Sequence, residues 1–241
     1  MGGIAAIRTA PALGEQVYQA IVDEICDGTL EAGAHLVQEQ LAARFGVSRQ
    51  PVQQAMALLK ADGLVEEAGK RGLRVVPLDV NLMRHQFEIR GVLDGLAARN
   101  AAQRVKDNPA FAKDVEVRAE KVMAAGRKAA DGGSMPDLLR ADEAFHTLIY
   151  GISGNPLIAG SAEALWRLLR RGMSNVMRIG QSPDDIWRQH AAILDAVLTG
   201  DPELAEARSV GHLDTAASSL DRGPEDGHDP DVLPAAEGGH A

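Results

Sequence analysis

The chain has 241 residues and a formal net charge of −9, from 25 Lys and Arg against 34 Asp and Glu, which excludes a generally basic nucleic-acid coat. With 45% hydrophobic and 24% charged residues it is not disordered throughout, and it is long enough for one large or two ordinary domains. No apolar run approaches the roughly 18 residues of a membrane-spanning helix and the opening Met-Gly-Gly-Ile-Ala-Ala-Ile-Arg lacks a secretory core, so a soluble cytoplasmic protein is expected.

Aromatic residues make up 3% while Ala and Leu abound, which favours a mainly α fold. Residues 1–14 read as an N-terminal arm. From about Glu15, Val17, Ile21 and Ile25 recur at helical spacing, with Gly28 as a stop. Cys26, the single cysteine, excludes a disulfide and a thiolate-cluster metal site and reads as a small buried apolar residue. A short helix from about Gln38 to Phe45 ends at Gly46. Ser48 is then expected to cap a helix reaching about Asp62, with Pro51 in its first turn. Residues 64–67 and 73–76 read as two short strands around the basic turn at 68–72. Three helices and a hairpin over residues 15–77, with a Gly-Val turn between the second and third helices, describe a winged helix-turn-helix.

Beyond Pro77, residues 78–220 read as an all-helical antiparallel bundle. Six helices are predicted, at about 80–105, 109–130, 136–151, 156–179, 183–199 and 202–221. Their starts are signalled by Asp79, Asn108 before Pro109, Ser134 before Pro136, Asn155 before Pro156, Ser182 before Pro183 and Asp201 before Pro202. Residues 221–241 carry one basic and six acidic side chains and few large apolar ones, which predicts an acidic disordered tail.

Charge is unevenly spread. Between Glu39 and Asp62 the charged residues are Arg44, Arg49 and Lys60; between Glu67 and Asp79 they are Lys70, Arg71 and Arg74. A helix that enters the major groove should be free of acids, because each carboxylate would face phosphates. The span from Ser48 to Lys60 meets that demand. Arg49, Gln50, Gln53 and Gln54 cluster on its first turns, where Arg can fork onto guanine and Gln onto adenine. Candidate DNA contacts are therefore Arg44, Ser48, Arg49, Gln50 and Gln53, with Lys70, Arg71 and Gly72 in the basic turn.

This stretch resembles the GntR superfamily of bacterial transcription regulators. The matching residues are 17–21, 28–30, Gly33, the run Leu-Ala-Ala-Arg-Phe-Gly-Val-Ser-Arg-Gln-Pro-Val at 41–52, Ala55, Leu58 and 63–65, with Gly72 in the wing. The resemblance implies that Arg44 and Arg49 contact an operator and that the wing glycine approaches the minor groove. Gln53 departs from it, standing where the family usually has the Arg of Pro-Val-Arg. A different operator is expected to follow.

Asp142 and His146 stand four apart on one predicted helix, so they share a face at about 5–6 Å between Cβ atoms. His190 and His212 fall on two later helices. One carboxylate and three imidazoles suit a divalent transition metal, although four such residues serve equally as caps, surface groups or satisfied core groups. Glu88-Ile89-Arg90 with Leu93, Leu96 and Ala97-Ala98, and Asp142-Glu143-Ala144-Phe145-His146 with Gly154-Asn155-Pro156, resemble the FCD effector domain of the FadR-like branch of the superfamily. The resemblance implies a metal on Asp142, His146, His190 and His212, most commonly zinc with nickel and manganese as alternatives. It also implies a cavity in which a small carboxylate completes the coordination.

Arg90 is the candidate clamp for that carboxylate, since guanidinium pairs with it bidentately; a surface salt bridge to Glu88 or Asp94 is the alternative. Arg167, Arg170 and Arg171 form a second candidate cluster, or an exposed helix face. Trp166 and Trp187 are expected in the core or cavity wall. His35, His85, His228 and His240 receive no role.

The expected function is a ligand-responsive transcription regulator, a repressor, that binds palindromic operator DNA as a homodimer without membrane attachment. Its operator affinity would be set by a small organic acid at the metal. Two alternatives remain at this stage: a metal sensor in which the ion is the signal, and a metal-dependent hydrolase. The hydrolase lacks a His-Glu-x-x-His motif and an assigned general base, so no catalytic residue is named.

Overall fold

Val17, Ile21, Val22, Ile25 and Cys26 form the buried stripe of α1 (Leu13–Asp27). The computed structural model describes residues 12–69, 72–179 and 181–221. The helix takes in Leu13 and Gly14 of the expected arm, and Gly14 packs closely on the third helix. A Cβ at Gly14 would meet Oε1 of Gln54 at 2.6 Å. After β1 (His35–Leu36) come α2 (Gln38–Phe45) and α3 (Arg49–Ala61), joined through Gly46 at φ 65°, a left-handed turn suited to glycine. Ser48 holds the N-cap position of α3 but makes no side-chain cap bond. Close by, Gln38 Nε2 donates to the Arg49 carbonyl at 2.9 Å.

The wing strands are β2 (Val65–Ala68) and β3 (Gly72–Val75). The expected two-stranded hairpin is in fact a three-stranded antiparallel sheet of order β1-β3-β2, with Leu36 opposite Leu73 and Val65 opposite Val75.

Six helices follow: α4 (Val80–Asp107), α5 (Ala110–Ala130), α6 (Met135–Ile152), α7 (Pro156–Ile179), α8 (Pro183–Leu198) and α9 (Pro202–Ser218), closed by a 3-10 turn at Ser219–Asp221. Side chains of Asp79, Ser134, Ser182 and Asp201 cap their helices as expected, and Ser134 forms a capping box with Asp137. Asn155 Oδ1 likewise accepts from the Leu157 amide. Asn108 does not cap α5: it ends α4, and Pro109 takes the N-cap position without a side-chain bond. Helix α4 packs against α6, α7, α8 and α9. Ala97, Ala98, Ala101 and Ala102 are fully buried there, and their small size lets neighbouring helices approach.

The N-terminal unit is joined to the bundle through α1. Arg140 of α6 donates to Asp23 at 2.9 Å, and Arg170 of α7 donates to Gln19 Oε1 at 2.9 Å. Among the described residues no helix is long and apolar enough to cross a membrane. The expected arm lies largely, and the acidic tail beyond Asp221 wholly, outside the described residues.

Candidate metal centre and nucleic-acid interface

Pro51, Val52, Ala55 and Leu59 bury one face of α3, which leaves Arg49, Gln50 and Gln53 exposed on the opposite side. Gln54 differs: it leans on α1 at Gly14, away from that set. Ser48 and Arg44 are also exposed. Gly72 opens β3, whereas Lys70 and Arg71 lie outside the described residues.

Neighbouring elements supply carboxylates to the two basic islands. Arg49 pairs with Glu39 at 2.7 Å, Arg44 with Glu24, Lys60 with Glu67 at 2.5 Å and Arg74 with Glu66 at 2.7 Å. The local absence of acids in the sequence is therefore compensated in space. These pairs are exposed, and such pairs contribute only about 0–1 kcal/mol. Exchange of Glu39 for a phosphate or base edge at Arg49 is correspondingly cheap.

The metal-like residues converge inside the bundle. One ligand atom from each of Asp142, His146, His190 and His212 lies within 4.8 Å of all the others, and all four residues are buried. Nε2 of His190 is 3.3 Å from Nε2 of His212 and 3.4 Å from Asp142 Oδ1, and Nε2 of His146 is 3.9 Å from the same oxygen. Both Asp142 oxygens, His146 Nε2 and His190 Nδ1 have no hydrogen-bond partner. Buried polar atoms left in this way cost free energy unless something else satisfies them. A divalent ion among an N₃O donor set would satisfy the Asp142 oxygens and His146 Nε2, though not Nδ1 of His190, whose Nε2 is the nitrogen that faces the cluster, and the residues present fit it.

Two of these imidazoles are oriented by groups behind them. His146 Nδ1 faces Asp94 Oδ2 at 3.0 Å, and His212 Nδ1 faces Gln189 Oε1 at 2.6 Å. Each contact favours the tautomer with its proton on Nδ1 and its Nε2 lone pair turned inward. Phe145 stacks on the His190 ring at 4.1 Å between centroids, and Trp187 meets that ring edge-on at 4.8 Å.

Arg90 makes the alternative salt bridge to Asp94, but fully buried rather than at the surface. Its Nε lies 3.2 Å from Asp94 Oδ2, and Trp166 covers its guanidinium face at 3.7 Å. Tyr150 OH donates to the other Asp94 oxygen, and Trp166 Nε1 donates to Tyr150 at 3.3 Å. Of the second arginine cluster, Arg170 is turned away from the centre onto Glu143 and Gln19, and the side chains of Arg167 and Arg171 lie outside the described set.

Burial dominates the electrostatics. It pushes the Asp142 carboxyl up to about 7 against the pull of Arg90, and drives His212 down to about 4 with help from Arg90. Burial likewise holds His146 and His190 well below the usual imidazole range. Neutral imidazoles are the form that binds a metal, and a cation among them favours ionised Asp142.

Residues 85–215 match the FCD domain family, and residues 13–75 match the bacterial regulatory proteins of the gntR family. The chain belongs to the GntR family, with an FCD domain. A GntR relative from Paenarthrobacter nicotinovorans, named "Probable D-xylose utilization operon transcriptional repressor", is 31% identical over 85% of this chain and 87% of its own. The Glc operon transcriptional activator of Escherichia coli K12 is 28% identical over 86% and 88%. The transcriptional repressor RspR of the same strain is 25% identical over 86% and 89%. The fold agrees with the solved structures of E. coli McbR/YncC (TM-score 0.69, 20% identity, 88% of this chain and 98% of that one) and of a GntR regulator from Rhodococcus sp. RHA1 (0.66, 19%, 86% and 96%). The GntR unit implies DNA binding and the FCD unit a small-molecule effector; relatives of this kind are regulators, which are not enzymes.

In the sequence alone Gln189 and Tyr150 carry no role, and Asp94 only that of a surface partner for Arg90. A signal existed for Tyr150, which continues the four-residue spacing of Asp142 and His146 along one face of α6. Gln189 offered none beyond its place beside His190.

Proposed function

We propose that this GntR regulator is a repressor whose affinity for a palindromic operator is set by a small carboxylate bound at a metal in the helical domain. The observation that carries the reading is the convergence of Asp142, His146, His190 and His212 on one buried point, where Asp142 and His146 Nε2 have no hydrogen-bond partner. These residues would hold a divalent ion, with zinc first and nickel or manganese as alternatives. When bound, it supplies a Lewis-acidic position for an anionic ligand. Arg90, in the adjoining layer, would attract the same carboxylate.

Arg44, Ser48, Arg49, Gln50 and Gln53, with Lys70, Arg71 and Gly72 in the wing, are the proposed operator contacts. Residues 15–77 and 78–220 are the proposed DNA-binding and effector units. Two symmetric half-sites need two wings, hence a homodimer. The exposed Leu82, Ile89, Val92 and Leu96 of α4 supply a stripe at spacings of seven, three and four, suited to a helical partner. Because Asp23 and Gln19 of α1 are held by Arg140 and Arg170 of the bundle, a shift of α6 or α7 around the bound acid would move the winged unit.

The test is operator affinity of metal-loaded protein with and without a panel of small carboxylates. A shift caused by an acid supports the reading. If every acid leaves affinity unchanged while adding and stripping metal switches it, the ion is the signal.

A further inference from the structure

The winged unit is acidic although it belongs to a DNA-binding family. Residues 15–77 carry six Lys and Arg against nine Asp and Glu. Each of the four described cations is held by a carboxylate: Arg44 by Glu24, Arg49 by Glu39, Lys60 by Glu67 and Arg74 by Glu66. Affinity for DNA of any sequence is electrostatic and grows with the number of phosphates a protein neutralises. A unit whose cations are already paired gives up much of that affinity and depends on contacts that only a particular sequence offers.

The pair at the start of α3, where bases are read, is Arg49 with Glu39 at 2.7 Å. Two features keep that carboxylate in place. Glu39 stands in the first turn of α2, where the helix dipole favours an acid, and its neighbour Gln38 ties the start of α2 to the Arg49 carbonyl at 2.9 Å. When the guanidinium turns to DNA, Glu39 therefore stays beside it, and the acceptor met there decides the cost. A phosphate is a second anion on the same guanidinium and repels Glu39. O6 and N7 of guanine are neutral acceptors that repel it far less, and five N–H groups can serve a base and Glu39 together. We infer that Glu39 is a positioning residue for DNA selectivity: through Arg49 it disfavours phosphate contact more than base contact, and so holds down binding to non-operator DNA. The inference rests on the proposed operator contact of Arg49 and names the residue that sets its discrimination.

The experiment measures the affinity of full-length protein for two labelled duplexes over a series of salt concentrations. One duplex is recovered from randomised sequences by selection with the wild type, and the other is of random sequence. Glu39→Gln should tighten binding to the random duplex by about fivefold, the size of one charge–charge repulsion at about 4 Å in water. Binding to the selected duplex should tighten by about twofold or less, so the ratio of the two affinities falls. For the random duplex, the plot of log affinity against log salt should steepen by about 0.9, the signature of one more phosphate neutralised. Glu120→Gln on α5, an exposed acid of the bundle, makes the same change in net charge and should leave ratio and slope as in the wild type. The inference falls if Glu39→Gln leaves the ratio unchanged or if Glu120→Gln matches its effect. It also falls if Glu39→Gln lowers the ratio equally with Arg49→Ala in place, since Glu39 then acts without Arg49. None of these results touches the operator contact itself. A ratio that Arg49→Ala alone does not lower, or a wild-type selection that recovers no preferred sequence, overturns the contact reading and the inference together.

Discussion

Nδ1 of His146 lies 3.0 Å from Oδ2 of Asp94, a contact between α6 and α4 that turns the other imidazole nitrogen toward Asp142 at 3.9 Å. Groups behind a ligand commonly govern affinity through orientation, so Asp94→Ala should weaken metal binding by ~10- to 100-fold without removing a ligand. Competition with a coloured chelator measures this. Wild-type affinity in the variant would show that His146 is oriented by something else.

Arg49 pairs with Glu39 across the helix-turn-helix at 2.7 Å, both side chains being about two-thirds exposed at 69% and 67%. Arg49→Ala should lower operator affinity by ~1–3 kcal/mol, with unchanged circular dichroism, if the proposed base contact is made. Glu39→Gln should instead raise affinity, since the arginine no longer leaves an ion pair to reach DNA. Gel shift with a genomic operator fragment separates the two directions. If both variants bind like wild type, α3 does not dock as described.

Gln53 is exposed on the same face of α3. Its amide matches the adenine edge where guanidinium matches guanine, so Gln53→Arg should move base preference toward guanine at one position of each half of the proposed operator. Selection from randomised operators reads this out. An unchanged consensus counts against contact by residue 53.

The six bundle helices were legible to within a few residues, because Ser134, Ser182 and Asp201 mark starts by side chains that do cap. Local chemistry was less informative where tertiary contact decided the outcome. Strand β1 is two residues long and exists through its pairing with β3, which no alternation pattern announces. Ser48 and Asn108 have capping chemistry and are not used for it. Of the metal-like set, Asp142 and His146 could be paired by spacing. His190 and His212 could be joined to them only through resemblance, since their meeting depends on how α8 and α9 pack on α6. Asp94 and Gln189 acquire roles through the same packing.

Gly126 of α5 faces Trp187 so closely that a Cβ would fall 2.0 Å from the indole ring. Gly126→Ala should destabilise the fold by ~1–3 kcal/mol through overpacking and disturb His190, against which Trp187 rests. Gly91 on α4 has nothing within 4 Å of the same atom, so Gly91→Ala should stabilise by ~0.5–1 kcal/mol. Thermal denaturation of both variants checks the contrast. Equal shifts would contradict this packing.

Acid should destabilise the metal-free protein. Burial lowers His146, His190 and His212 from 6.5, with His212 near 4, so the unfolded chain binds more protons than the folded one below 6.5. Their contribution is present above 6.5 and is lost as pH falls toward their folded values. Asp142 and Asp94 act oppositely: burial raises both carboxyls from 3.8, Asp142 to about 7, so they make the fold less stable as pH rises. Three histidines outweigh these two carboxyls, so the melting temperature of chelator-treated protein should rise between about pH 4 and 6.5. His212→Gln should flatten that rise. A steeper rise in the variant would contradict the assignment.

The most direct measurement is elemental analysis of purified protein, wild type beside His146→Ala and His190→Ala. About one divalent transition-metal ion per wild-type chain is expected, with little or none in either variant and a lower melting temperature in both, since ligands from α6, α8 and α9 staple the bundle. Equal metal content in all three proteins would contradict the account.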